Sequence, residues 1–285
     1  MKLKIENSKL KIVFLGTPEF GAIILEGLIK NNCKPILVIT VPDKPVGRKQ
    51  ILTPPPVKLM AQKYNIPIAQ PEKIKEFKEG NLVICAAYGK VLAKEILETP
   101  RYGCLNVHPS LLPKYRGPSP IQTAILNGDK ETGVTIILID EKMDHGPIIA
   151  QRKWKISAKT NSEELSKKLA KLGAELLIET IPKWLKGEIK AEAQNESKAT
   201  YTKILKKEDG KINWKKSAQE IERQIRAFHP WPGSFTFWKG KRIKILEADV
   251  LKNNKLTIKK LQPEGKKPMT AEDFKRGYHG YNPLL

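Results

Sequence analysis

GCLNVHPSLLPKYRGPSP, residues 103–120, begins as a short strand and ends in a proline-rich loop. Asn106 and His108 are two residues apart, so both side chains leave the same face of that strand. Pro109 cannot donate a ladder hydrogen bond, and we expect the strand to stop there. The amide and the imidazole then lie at the carboxyl end of a strand, which is where open α/β sheets bind ligands.

These two side chains, with one carboxylate, suit a single kind of chemistry. The Asn106 amide is a fixed hydrogen-bond donor, and the His108 imidazole belongs to the side-chain type that exchanges a proton near neutral pH. Asp144 follows the strand predicted at 133–140, where its carboxylate would orient the ring. A reaction that forms an oxyanion and moves a proton would use such a set. His145 is a rival to His108, and Asp144 has a plainer interpretation as a turn residue.

Strands and helices alternate on both sides of this stretch. Thr17 is the predicted cap of a helix that runs to about Lys30, between strands at 11–16 and 35–40. A strand–helix–strand order predicts a right-handed parallel unit. We therefore expect an α/β fold with a mostly parallel sheet, whose further elements are strands at 81–87, 133–140 and 148–156 and an amphipathic helix at 161–185.

Two glycines near the first strand raise the question of a dinucleotide cofactor. Gly16 and Gly21 fall short of the G-x-G-x-x-G fingerprint, and no acidic residue ends the second strand where a ribose would need it. A nicotinamide cofactor is therefore not expected.

The charge of the chain is unevenly distributed. The formal net charge is +22, and residues 201–285 contain 20 basic against 9 acidic side chains. This asymmetry indicates a polyanionic partner, with a lysine-rich surface serving solubility or heat tolerance as the alternative. Residues 41–58 form a predicted basic loop that would either grip phosphates or be merely solvated.

Cysteine and histidine usage argues against disulfides and metals. The three cysteines form no C-x-x-C pair, and the four histidines are scattered. We expect reduced thiols, no metal site and a cytoplasmic protein. The sequence contains neither a recognisable signal peptide nor an apolar run long enough to span a bilayer.

Several motifs together resemble the folate-dependent formyltransferase family. They are Asn106-x-His108, the S-L-L-P run at Ser110–Pro113 followed by Gly117, and Asp144 further along the chain. The runs GTPEF, PDKPVGR, AAYG and IRAFHPWP extend the likeness over nearly the whole sequence. They make it most similar to those family members that formylate initiator methionyl-tRNA.

The resemblance implies an architecture and a set of substrates. It implies a Rossmann-like formyltransferase domain at 1–190, a linker at 191–207 and a shortened OB-like β-barrel at 208–285 that binds tRNA. The co-substrate would be 10-formyltetrahydrofolate, without a metal, and the partner would be initiator methionyl-tRNA. We expect a monomer with no membrane attachment. The alternatives are a formyltransferase acting on a UDP-aminosugar and an RNA-binding module whose catalytic half has decayed.

The resemblance also implies roles for individual residues. Asn106 and a protonated His108 would stabilise the tetrahedral oxyanion, and Asp144, with a water, would move protons. The folate would lie against Ala86, Ala87, Tyr88, Ser110, Leu111, Leu112, Pro113 and Asp140. The tRNA would be contacted by Lys44, Arg48, Lys49 and Arg116, with Arg48 as the main contact.

Overall fold

The structure, a computed structural model, describes residues 10–47, 49–74 and 79–277. The chain divides into two compact units. The first takes in the described residues up to Gly117, Glu131–Lys155 and Ser166–Tyr201, and the second takes in Pro118–Lys130, Ile156–Leu165 and the described residues from Thr202 onward. Each unit draws on three segments of the chain, and the domain limits predicted at 190 and 208 remain a proposal.

A single sheet forms the framework of the first unit. The strands of this unit are β1 (Ile12–Gly16), β2 (Leu37–Ile39), β3 (Lys44–Val46), β4 (Ile51–Thr53), β5 (Ile68–Ala69), β6 (Leu82–Ala86), β7 (Cys104–His108), β8 (Glu131–Leu138) and β9 (Ile148–Lys155). Within the described residues, the sheet has the strand order β5-β2-β1-β6-β7-β8-β9. Strands β3 and β4 pair with each other as a separate hairpin.

The sheet is parallel from β5 to β7 and antiparallel beyond. Strands β5, β2, β1, β6 and β7 run parallel to their neighbours, and β8 and β9 continue the sheet antiparallel. The predicted mostly parallel α/β sheet is thereby confirmed. The strand order reverses between β1 and β6, so the carboxyl ends of β1, β6 and β7 border the crevice where such sheets bind ligands.

The helices are α1 (Glu19–Lys30), α2 (Pro56–Lys63), α3 (Lys94–Leu97), α4 (Pro120–Asn127), α5 (Ser162–Leu185), α6 (Ala218–Ala227) and α7 (Ala271–Gly277). The prediction that Thr17 caps α1 is wrong, because α1 begins after Pro18 without a side-chain cap. The Thr17 hydroxyl instead donates to the Tyr88 carbonyl at 2.8 Å, which ties the end of β1 to the residues after β6.

Across the described residues, we find no helix whose length and hydropathy would suit a membrane span.

The two glycines near β1 have a packing role. A Cβ atom on Gly21 would lie 2.8 Å from the Ala86 carbonyl oxygen, and one on Gly16 would lie 3.0 Å from the same atom. The first distance is shorter than real Cβ atoms show, and the second is tighter than almost all real Cβ contacts. Glycine at these positions therefore lets β1 and α1 approach the end of β6 closely, without a dinucleotide fingerprint being involved.

The second unit is an antiparallel sheet covered by helices. Its strands, in sheet order, are β10 (Ser234–Trp238), β11 (Lys241–Val250), β12 (Leu256–Pro263) and β13 (Met269–Thr270). Its core packs Ile221 and Ile225 of α6 and Phe274 of α7 with apolar residues of β11 and β12. This antiparallel sheet lies where the shortened OB-like β-barrel was predicted, and among the described residues it is open, with β10 and β13 at its edges.

Candidate active site

Asn106, His108 and Asp144 come together at the carboxyl end of β7. Asp144 lies in the loop between β8 and β9. The Asn106 amide donates to Asp144 Oδ1 at 3.3 Å, and His108 Nδ1 lies 3.4 Å from the same oxygen. The two-residue spacing on β7 therefore directs both side chains toward one carboxylate.

His108 is buried and faces an acceptor on each side of its ring. It is 4% exposed, and its Nε2 lies 3.0 Å from the Tyr115 carbonyl oxygen. A carbonyl can only accept, so Nε2 carries a hydrogen in this contact. On the other side of the ring, Nδ1 faces the Asp144 carboxylate, which in its ionised form can only accept hydrogen bonds.

Asp144 is held as a carboxylate. Its Oδ2 accepts a hydrogen bond from the Gly117 N–H at 2.8 Å. Burial alone would raise the pKa of Asp144, but the charge of His108, hydrogen bonds from His108 and Gly117, and the charge of Arg116 outweigh it. The net pKa lies below the usual 3.8, so Asp144 is ionised at neutral pH and able to accept a proton.

The ionised Asp144 should stabilise the fold over a defined pH range. Because the pKa is lower in the folded than in the unfolded protein, the stabilisation is full above the usual 3.8 and disappears as pH falls through the folded value. The difference in free energy of unfolding between wild type and Asp144→Asn should therefore stay constant from about pH 6 to about pH 5 and shrink as the pH falls through 3.8 and below it. Urea unfolding at each pH measures it, and a constant difference would contradict the observed pairing.

Two side chains of the antiparallel strands hold the S-L-L-P loop. Thr135 on β8 and Gln151 on β9 are cross-strand partners. The Thr135 hydroxyl donates to the Ser110 carbonyl at 2.7 Å and accepts from the Leu112 N–H at 3.1 Å. The Gln151 amide donates to the Leu112 carbonyl at 2.7 Å. The sequence analysis missed both residues, because a threonine and a glutamine in alternating strands form no recognisable motif.

The residues predicted to line the folate differ in solvent exposure. Ala86 is buried at the end of β6, whereas Ala87 is exposed, with φ of +52°. The Tyr88 side chain is 2% exposed and packs into the core, so only its backbone is available at the strand end. Exposed backbone at Ala87 and the half-buried Leu111 and Pro113 fit a flat ring system with polar edges.

The buried members of the loop have structural partners. Ser110 is fully buried, and its hydroxyl donates to the Lys114 carbonyl at 2.6 Å. Leu112 is buried as well, at 3% exposed. We therefore expect these two residues to shape the loop, while their neighbours Leu111 and Pro113 offer the accessible surface.

Asp140 and His145 form a second pair in the loop that carries Asp144. The Asp140 carboxylate bonds His145 Nδ1 and accepts from the Lys142 N–H at 3.0 Å. His145 Nε2 lies 3.5 Å from Glu196 Oε1. The rival histidine is thus held between two carboxylates, and it is His108 whose ring lies beside Asn106 and Asp144.

The basic segment after β2 is a hairpin, not the loop predicted at 41–58. Strands β3 and β4 span Lys44–Thr53, and Lys44 and Lys49 are exposed. Lys58 is neutralised by Asp43, at 2.8 Å. Arg48, the main predicted tRNA contact, lies outside the described residues.

The structure contradicts the prediction that Arg116 contacts tRNA. The residue is 0% exposed. Its guanidinium donates to Gln194 Oε1, to both oxygens of Glu196 and to the Tyr201 hydroxyl. A side chain whose donors are all engaged inside the protein cannot also bind a phosphate. Sequence reasoning took Gln194 for part of a linker, because a polar run beside lysines resembles one.

Neither a thiol nucleophile nor a metal centre is evident in the described part of the chain. Cys85 pairs with Asn106 in the sheet, but burial raises the pKa of Cys85 to about 12. It therefore remains a thiol at neutral pH and is a poor nucleophile. No group of three or more His, Cys, Asp or Glu side chains is placed to hold a metal ion in these ranges.

Comparison with known families decides the assignment. Residues 10–181 match the family described as formyl transferase, and residues 204–257 match the formyl transferase C-terminal domain. The first match alone covers more than half of the chain. The chain belongs to the formyl transferase family. This confirms the resemblance carried by the sequence motifs and makes the protein an enzyme.

Individual relatives of this formyl transferase are named for two acceptors. The methionyl-tRNA formyltransferase of Thermodesulfovibrio yellowstonii is 46% identical, over 93% of this chain and 95% of its own. That of Caldicellulosiruptor saccharolyticus is 43% identical, over 94% and 96%. A solved sugar 3N-formyl transferase, WlaRD, studied in the presence of dTDP and 5-N-formyl-THF, is 25% identical with a TM-score of 0.68, covering 85% of this chain and 87% of its own.

Proposed function

We propose that this formyl transferase transfers the formyl group of 10-formyltetrahydrofolate to the α-amino group of methionyl-initiator tRNA. The observation that carries the proposal is the 46% identity over 93% of the chain to a methionyl-tRNA formyltransferase. The sugar formyl transferase is more distant, at 25%. The product would be N-formylmethionyl-tRNA for translation initiation, and we propose that the reaction takes place in the cytoplasm.

The reaction exchanges one carbon–nitrogen bond for another. The α-amine nitrogen bonds to the formyl carbon, and the formyl oxygen takes up negative charge. The bond from that carbon to N10 then breaks, N10 takes a proton, and the amine loses one. The protein must therefore stabilise an oxyanion and carry a proton from one nitrogen to the other.

The three clustered side chains divide these tasks. The Asn106 amide, only 3.3 Å from Asp144 Oδ1, can turn its N–H to the oxyanion. His108 Nε2 is committed to Tyr115, so the hydrogen on Nδ1 is the one that faces the reacting centre. Asp144 is ionised and accepts the amine proton, directly or through a water. The burial of His108 and the half-buried positions of Asn106 and Asp144 strengthen each interaction with developing charge.

The donor would lie beside Ala87, Leu111 and Pro113. These residues offer exposed backbone and half-buried apolar surface at the ends of β6 and β7. The presence of 5-N-formyl-THF with the sugar 3N-formyl transferase supports a folate in this family. A folate held there would place its formyl group near Asn106, and bringing the two reactants together would supply a large share of the rate.

The β3–β4 hairpin is the proposed tRNA contact of the first unit. It follows β2, so it emerges at the carboxyl end of the parallel strands, where the Asn106 and His108 side chains also lie. Lys44 and Lys49 are exposed, and no carboxylate pairs with either among the described residues. Exposed lysines beside a reaction site attract phosphates.

Removing the hairpin lysines should weaken tRNA binding in a salt-dependent way. The double change Lys44→Ala/Lys49→Ala should lower affinity and reduce the slope of log affinity against log salt by about one per lost phosphate contact. The matched control is Lys153→Ala/Lys155→Ala, two exposed lysines of β9, which is the edge strand on the far side of the sheet from β2. Equal slopes for the two double variants would count against the hairpin contact.

The second unit offers further surface suited to RNA. The Arg242 guanidinium lies 3.7 Å from the centre of the Phe235 ring, and Phe237 is 52% exposed. A cavity of about 340 Å³ is lined by Lys207, Glu208, Lys211, Phe235, Phe237 and Arg242. Basic side chains interleaved with aromatic rings bind phosphates and stack on bases. This supports tRNA over a small sugar nucleotide as the acceptor.

An acceptor comparison tests the proposed function. The enzyme is given 10-formyltetrahydrofolate with methionyl-initiator tRNA, or with a UDP- or dTDP-linked aminosugar. We expect turnover of the aminoacyl-tRNA and none of the sugars. Uncharged initiator tRNA is the control for formylation at any group other than the α-amine. Turnover of a sugar nucleotide without turnover of the aminoacyl-tRNA would overturn the proposal.

A further inference from the structure

A side chain distant in sequence holds the turn that carries Asp144. Gln194 Nε2 donates to the main-chain oxygens of Asp144, at 2.9 Å, and Gly146, at 2.8 Å. Asp144 has φ of +49°, a conformation that a residue with a side chain keeps only where its surroundings hold it. The amide of Gln194 supplies such a hold, because its two hydrogens span the turn.

Arg116 determines which way the Gln194 amide points. Gln194 Oε1 accepts from Arg116 Nε at 3.0 Å and from Nη2 at 2.8 Å. If the amide were turned over, its NH₂ group would face a guanidinium, which has only donors, and its oxygen would face two carbonyls. Arg116 therefore commits both amide hydrogens to the Asp144 turn.

Arg116 is itself a rigid anchor. Its remaining hydrogens bond the two Glu196 oxygens, at 2.6 and 3.0 Å, and the Tyr201 hydroxyl, at 3.2 Å. Hydrogen bonding to Glu196 is the main cause that raises the pKa of the Arg116 guanidinium further, so the group stays charged. Five N–H groups bonded to three partners leave the planar guanidinium little freedom to rotate.

The backbone on either side of Arg116 contacts the clustered side chains directly. The Tyr115 carbonyl accepts from His108, and the Gly117 N–H donates to Asp144. Arg116 therefore lies between the residue that orients the His108 ring and the residue that orients the Asp144 carboxylate.

Residues 194–201, here called the strap, also hold this backbone. The Thr200 carbonyl accepts from the Arg116 N–H at 2.8 Å, and the Thr200 hydroxyl accepts from the Tyr115 N–H at 2.9 Å. The Thr200 N–H donates to the Pro113 carbonyl at 3.2 Å. The segment predicted as a linker is thus bonded both to the Asp144 turn, through Gln194, and to the loop after β7, through Thr200.

We infer that Arg116 and Gln194 are positioning residues for formyl transfer, which hold Asp144 within reach of Asn106 and His108. Neither touches the reacting atoms in this arrangement. Arg116 orients the Gln194 amide, and the amide holds the turn from which the Asp144 side chain projects. The inference rests on the role of Asp144 in the proposed function, so its test needs one measurement that does not depend on the acceptor.

The decisive variant is Gln194→Met, which keeps the length of the side chain and removes its hydrogen bonds without adding charge. We expect kcat to fall by about 10- to 100-fold, with little change in the KM of either substrate. The control is Asn195→Met, which removes the neighbouring amide; Asn195 is exposed, and its side-chain oxygen accepts from the N–H and the hydroxyl of Ser197 within the strap. The control should retain nearly full activity.

The acceptor-independent measurement is a ¹³C NMR titration of the Asp144 carboxyl, identified by its loss in Asp144→Asn. His108 on β7, Arg116 after β7, Cys85 on β6 and His145 in its own loop are the titratable or charged groups near it. If the turn loosens in Gln194→Met, contacts with His108 and Gly117 weaken and the pKa of Asp144 rises toward 3.8 or above it. A loss of stability alone would not move it.

A second variant, Arg116→Lys, keeps the inference testable if Gln194→Met does not fold. Arg116→Lys keeps the charge but cannot hold Gln194, Glu196 and Tyr201 together, and it should shift kcat and the Asp144 pKa in the same directions. A folded Gln194→Met with wild-type kcat and an unchanged Asp144 pKa would overturn the inference. Failure of the wild-type enzyme to formylate methionyl-tRNA would instead overturn the proposed function, and the titration would still test the positioning.

Discussion

Replacing His108 with alanine should lower the rate of formyl transfer at saturating substrates by about 10²- to 10⁴-fold. His108 Nδ1 lies 3.4 Å from the Asp144 carboxylate. The loss should be large because, in the proposed mechanism, this nitrogen also stabilises the developing oxyanion. Its other nitrogen is bonded to Tyr115 and contributes only to orientation. Single-turnover kinetics with methionyl-initiator tRNA measure the effect on the chemical step.

Two further substitutions at His108 separate orientation from chemistry. Glutamine places an amide near the position of Nε2 and can keep the bond to Tyr115, whereas asparagine places one near Nδ1. We expect His108→Gln to be nearly as slow as His108→Ala, and His108→Asn to retain part of the activity. The opposite order would indicate that the contact with Tyr115 is the important one.

Other histidines provide the controls. His229→Ala changes a half-buried histidine of the second unit that lies 3.6 Å from Glu163, and it should leave the rate unchanged. His145→Ala tests the rival candidate, whose ring is tied to Asp140 and Glu196. If His145→Ala abolished transfer and His108→Ala did not, the assignment of the site would be wrong.

Replacing Asn106 with alanine should cost about 10²- to 10³-fold in kcat, the effect of removing one donor to an oxyanion. The interaction strengthens as charge develops, so the loss should appear in kcat and leave KM nearly unchanged. Asn106→Asp should be slower still, because it sets a carboxylate where the amide now lies, 3.3 Å from Asp144. Two like charges at that separation cannot both stay ionised without cost.

The activity of the two Asn106 variants should respond differently to pH. Lower pH should restore part of the Asn106→Asp activity, because one of the paired carboxyls takes up a proton. Asn106→Ala has no such pair and should not recover. An Asn106→Asp enzyme with a near wild-type rate at neutral pH would show that the amide N–H is not needed.

Local sequence patterns predicted the part of the site that depends on local geometry. The two-residue spacing of Asn106 and His108 and the strand break at Pro109 are properties of one strand. Asp144 was placed by the end of a predicted strand that adjoins β7 in the sheet. The alternation of strands and helices likewise predicted the parallel sheet, because each such unit has one favoured hand.

The parts that could not be predicted depend on contacts between distant residues. Arg116 lies 78 residues from Gln194 and 80 from Glu196, so nothing in its neighbourhood indicates that it is buried and paired. An arginine in a loop next to a glycine is more often exposed. The hairpin at Lys44–Thr53 escaped prediction because its prolines and lysines are typical of a loop.

The central claim is that the enzyme formylates methionyl-initiator tRNA and that Asn106 and His108 stabilise the oxyanion formed in this reaction. Its most direct test is a single-turnover experiment that follows labelled formyl from 10-formyltetrahydrofolate into the aminoacyl-tRNA, with wild type and Asn106→Ala/His108→Ala in parallel. We predict label on the α-amine with wild type and only background with the double variant, while both proteins retain the same fold by circular dichroism. Label that appears equally with both enzymes, or with neither, would contradict the account.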